Sequence, residues 1–138
     1  MTAFLQLHDG RSLHGSSVGM AGMYKTIADQ IGEPFTDLRN WLRDVADRPA
    51  PFMDFDIRGL TPQHRNEFFR AAASGMQSLI ATHSRETLER SHAFGCLSRL
   101  LRMQEAVEQG EPPEAFTDLD TIKEFDGKPI DLSQLWTE

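Results

Sequence analysis

A chain of 138 residues with 39% apolar and 25% charged positions is ordinary globular material, long enough to bury roughly two-thirds of its unfolded surface as one domain spanning 1–138. No run approaches the roughly 20 apolar residues of a membrane helix, and the start, MTAFLQLHDG, lacks the basic opening and long apolar middle of a signal peptide, so the chain reads as cytoplasmic. A formal charge of −7 argues against nucleic acid as a direct partner, because phosphate binders display clustered basic surface, and favours a basic protein instead.

Phe4, Leu5 and Leu7 precede Asp9-Gly10 and then Arg11 to His14, a spacing that allows a minor N-terminal hairpin turning at Asp-Gly. Gly15, Ser16 and Ser17 offer a helix start. Met20, Met23, Tyr24, Ile27 and Ile31 then form an apolar stripe that stops at Gly32 and Pro34, which predicts a helix near 17–31. Thr36 is placed to cap a second helix near 36–47, with Asp37 at its positive end and Leu38, Trp41, Leu42 and Val45 on one face.

The stretch from Pro51 to His83 carries the strongest helix signal, and the rest of the chain is expected to pack on it. Thr61 is a good N-cap and Pro62 suits the first helical position. Phe68, Ala72, Met76, Leu79 or Ile80, and His83 recur on one face of a helix near 61–83. The small residues Ala71 to Gly75 leave room for another helix to approach closely. Ser84 restarts the chain, and Leu88, His92, Cys96, Leu100, Met103 and Val107 trace a long helix near 85–109 that Gly110 and Pro112-Pro113 end.

The fold expected is therefore mainly α, a bundle of about four principal helices with the 114–138 segment lying over it as irregular structure. Its core should include Ile27, Trp41, Leu42, Phe68, Met76, Leu79, Leu97 and Leu100. The 114–138 segment holds seven acidic residues and two lysines, so most of the negative charge is concentrated there.

Three groupings suggest chemistry. Asp54 and Asp56, two apart on an extended segment, face the same way and are able to share a metal ion, while Arg58 and Arg65 and the nearby helix-start amides explain them structurally. That pair supports a small metal-dependent enzyme as the alternative to a binding protein. His92 and Cys96 are four apart on one helical face, where an imidazolium favours a thiolate, although a small buried thiol reads the same way. Gly15, Gly19 and Gly22 hint at a phosphate loop but lack its lysine and its GxGxxG spacing. His8, His14, His64 and His83 show no metal-ligand spacing, and no cofactor or metal is expected.

The pattern Phe55-Asp56-Ile57-x-x-Leu60-Thr61-x-x-x-Arg65-x-x-Phe68-x-x-Ala71 resembles a segment of small helical immunity proteins of bacterial contact-dependent growth inhibition and polymorphic toxin systems. The resemblance implies a non-catalytic inhibitor that binds a cognate toxin domain, often a basic nuclease, through acidic surface. It carries over no binding residue. The acidic side chains Asp118, Asp120, Glu124 and Asp126 and the aromatics Phe116, Phe125 and Trp136 are the expected contact residues, and Asp54, Asp56, Arg58 and Arg65 form the alternative site.

Overall fold

The computed structural model describes residues 2–7, 12–49 and 53–110. Asp9-Gly10 and the whole 114–138 segment, including every expected contact residue on it, lie outside the described residues.

The chain is mainly helical, with a small sheet at its start. Strands β1 (Thr2–Gln6) and β2 (Ser12–Ser16) pair antiparallel with Leu5 opposite Leu13, which supplies the expected hairpin ladder. Alternation explains the pairing: Ala3 and Leu5 on one strand, with Leu7 just beyond its end, and Leu13 and Gly15 on the other are buried, while Gln6, His14 and Ser16 are half-buried. A third strand, β3 (Phe55–Asp56), which the sequence had presented only as an extended segment, adds to β1 in parallel. This pairing turns Phe55 into the core and leaves Asp56 exposed.

Strand β2 runs without a loop into α1 (Ser17–Asp29), because Ser16 is both the last strand residue and the N-cap, its hydroxyl accepting the Gly19 N–H at 3.0 Å. Helix α1 is the hub of the fold. It packs on α2 (Thr36–Ala46), α3 (Pro62–Thr82) and α5 (His92–Glu108), and buries Met20, Met23, Tyr24, Ile27 and Ala28. The expectation that the chain would be organised around the helix near 61–83 is corrected by this packing. That helix buries only Phe68, Ala71, Ala72, Gly75 and Met76, with Leu79 half-buried and His83 exposed at its C-cap.

Close approach follows from the small residues of α3. A Cβ on Gly75 would lie 3.0 Å from Thr26 Cγ2, so α1 rests almost on the α3 backbone. Ser74 Oγ donates to Gln30 Oε1 at 2.8 Å, and Arg70 Nη2 donates to the Gln30 carbonyl at 2.8 Å, where a helix end leaves carbonyls without intrahelical donors.

Two helix starts differ from expectation. Phe35, not Thr36, is the N-cap of α2 and makes no side-chain capping bond; Asp37 Oδ1 instead accepts the Leu38 N–H at 2.9 Å. The helix expected near 85–109 is two helices, α4 (Arg85–Glu89) and α5. Ser91 caps α5 by accepting the Phe94 N–H at 3.1 Å. The break has a packing reason. In one continuous helix Leu88 and Phe94 would point about 120° apart, whereas the turn at Arg90 and Ser91 lets both enter the core, at 2% and 0% exposure.

Candidate protein-interaction surface

Trp41 was expected in the core and is not there. It is 39% exposed, at the edge of the α2 stripe whose buried members are Leu38, Leu42, Val45 and Ala46. One side of the indole rests on Phe55, with ring centroids 4.6 Å apart, and the rest faces solvent. Phe55 in turn stacks on Phe68 at 5.4 Å and tilts against Tyr24 at 5.8 Å. The indole is thus an exposed aromatic on a rigid aromatic base. Asp37 and Asp44 lie one turn to either side of it on the same face of α2.

Asp37 also crosses to the next element. Its Oδ2 lies 2.9 Å from His64 Nε2, and His64 Nδ1 lies 2.7 Å from Thr61 Oγ1. The Phe35 ring meets the imidazole edge-on at 5.3 Å. Hydrogen bonds from His64 and from the Leu38 amide hold the Asp37 carboxyl below the usual carboxylate range. A carboxyl so lowered adds to stability above its unfolded pKa, and this is lost as pH falls through the folded value. Trp41 on Phe55 and Asp37 on His64 together mark a surface along the seam between α2 and the 55–64 stretch.

The alternative site borders this seam. Asp56 caps the 3-10 turn Ile57–Gly59, accepting the Arg58 N–H at 2.9 Å, and both carboxylate oxygens bind the Arg58 guanidinium, at 3.0 and 2.8 Å for the closest contacts. The Arg58 guanidinium keeps the Asp56 carboxyl below its ordinary range. Asp54 is exposed and Arg65 half-buried. Among the described residues no three His, Cys, Asp or Glu side chains are grouped to hold a metal ion, and no described helix is long and apolar enough to cross a membrane.

His92 and Cys96 both border Gly19, as their shared helical face implies, but differ in burial. His92 is exposed, and Cys96 is fully buried. Burial pushes the Cys96 thiol up to about 12, against a smaller opposing effect of the Arg99 charge, so it stays protonated and unreactive at neutral pH. Native protein should resist a water-soluble thiol reagent and take up one equivalent only after denaturation; full labelling of the folded chain within minutes would contradict this burial.

Gly15, Gly19 and Gly22 prove to be a packing stripe. A Cβ on Gly15 would lie 2.8 Å from Cys96 Sγ, on Gly19 3.1 Å from His92 Cβ, and on Gly22 2.7 Å from Ala93 Cβ. The glycines let α5 approach β2 and α1, which is the reason for their spacing.

Sequence reasoning had missed two parts of the seam. The spacing of Trp41 from Leu38 and Val45 matches a buried stripe, and periodicity does not distinguish the edge of a stripe from its centre. His64 has no metal-ligand spacing in the sequence to single it out. A local signal did exist, since Thr61 at the N-cap and His64 at the third helical position stand where a capping box has its two side chains. Comparison of the chain with family models, curated proteins and solved structures gave no match.

Proposed function

We propose that this chain is a binding protein whose action on its partner is non-catalytic, an immunity protein that occludes a cognate, basic toxin domain. The observation that carries the reading is Trp41, a large aromatic left 39% exposed on a rigid Phe55 base. Tryptophan is the residue type most enriched among the few side chains that dominate binding energy, and a preorganised anchor loses little entropy on docking. The acidic concentration in 114–138, with Asp118, Asp120, Glu124 and Asp126, suits the complementary task of speeding encounter with a basic partner. Phe116, Phe125 and Trp136 are further anchors in this reading.

The test is co-purification from native lysate at low and high salt, followed by association kinetics with the captured partner. W41A should weaken the complex by about 30-fold or more, chiefly through faster dissociation. Replacing Asp118, Asp120, Glu124 and Asp126 with their amides should slow association and flatten its salt dependence without altering the fold. A partner bound equally well by both variants would remove the proposal.

A further inference from the structure

The contacts among Thr61, His64 and Asp37 do more than join two helices, because their chemistry fixes the direction of each proton. An ionised carboxylate only accepts hydrogen bonds, so the proton between Asp37 Oδ2 and His64 Nε2, 2.9 Å apart, belongs to the ring. In the neutral imidazole Nδ1 then carries the lone pair. In that form the Thr61 hydroxyl is the donor in the 2.7 Å contact with Nδ1. The result is a hydroxyl, a base that accepts its proton, and a carboxylate that orients the base, the arrangement that activates a neutral alcohol as a nucleophile.

The surroundings suit that role. Thr61 is exposed, whereas the His64 side chain is 27% exposed and is held by the Phe35 ring on one flank and Asp37 at its far nitrogen. The His64 backbone N–H donates to Thr61 Oγ1 at 3.1 Å, which fixes the oxygen and occupies one of its two lone pairs. The other remains for attack. The half-buried Phe35 ring, edge-on to the imidazole at 5.3 Å, provides apolar surface beside the relay.

We propose that Thr61 is an activated nucleophilic hydroxyl that accepts acyl groups from small activated carboxylic esters, with His64 as its general base and Asp37 as the positioning residue. Thr61 Oγ1 attacks the ester carbonyl carbon while its proton passes to His64 Nδ1, and the carbonyl electron pair moves onto oxygen. The carbonyl re-forms, the bond to the alkoxy oxygen breaks, and that oxygen leaves with the proton from Nδ1. The products are O-acyl Thr61 and the free alcohol. Water attacking the acyl carbon along the same proton route releases the carboxylic acid and restores Thr61. The reaction is independent of any toxin partner.

The probe is 4-nitrophenyl acetate on the full chain, read by nitrophenolate release, intact mass and peptide mapping. Wild type and T61S, which retains both hydroxyl and cap, should acquire one acetyl group at position 61. Its rate of formation should rise with pH in a single step. H64Q should slow that acetylation about 100-fold and abolish the step. D37N, whose amide oxygen still accepts the Nε2 proton, covers the case in which H64Q fails to fold, and should slow the reaction by about tenfold or more. Acetyl groups confined to lysine, the N-terminus or imidazole side chains would overturn the proposal. So would a rate at Thr61 that D37N leaves unchanged.

Discussion

Truncating Phe68 to alanine should cost about 3–5 kcal/mol of folding stability, measured as a fall in the denaturant midpoint at unchanged slope. The side chain is completely buried, stacks on Phe55 with ring centroids 5.4 Å apart and meets Phe69 edge-on at 5.3 Å. Removing it deletes apolar contact and leaves a cavity that α1, β3 and α3 would have to collapse to fill. The consequence should reach the surface. Without Phe68, Phe55 loses one of the rings beneath Trp41, so indole fluorescence should change even in the fraction that stays folded. A loss under about 1 kcal/mol would mean that Phe68 is not the core residue described.

Gly22→Ala should also destabilise the fold, although alanine favours an isolated helix by about 1 kcal/mol over glycine. The new methyl would stand 2.7 Å from Ala93 Cβ. Ala93 Cβ is attached directly to the α5 backbone, so no rotamer change relieves the clash and the two helices must separate. Overpacking of this kind costs on the order of 1–3 kcal/mol, which exceeds the propensity gain over most of that range. Gly32→Ala is the control, because a Cβ there meets nothing within 4 Å. Its effect should stay within about 0.5 kcal/mol. A stabilising Gly22→Ala would show that α1 and α5 are not in close contact.

Local chemistry settled most of the helix starts. Ser16, Thr61 and Ser84 are the caps their sequence neighbours suggest, each accepting an amide of the first turn. Ser91 is a cap of the same kind, but the strong apolar period on either side of it hid the break. The expected core positions Ile27, Leu42, Phe68, Met76, Leu97 and Leu100 are buried, since a residue at the centre of an apolar stripe has no other favourable place. Trp41 and Leu79 are the exceptions, both at stripe edges where burial depends on whether a neighbouring element reaches that far.

The candidate surface was less legible, because its contacts join residues far apart in the chain. Asp37 and His64 are 27 positions apart, and each alone has an ordinary local explanation, one at a helix start and the other near a cap. The alternative site was readable in part: Asp56 and Arg58 meet as their two-residue spacing permits.

By itself, then, the sequence determined what acts within a few residues: where helices begin, which faces are apolar, and that glycine and proline interrupt them. Which helix became the hub, that β3 joined β1 in parallel, that the glycines of β2 and α1 received α5, and that Trp41 kept one face in water were decided only by tertiary packing. The physical reason is range. Capping and propensity are energies of neighbouring residues, whereas burial depends on which distant surface arrives to exclude water, and one amphipathic stripe fits several such surfaces.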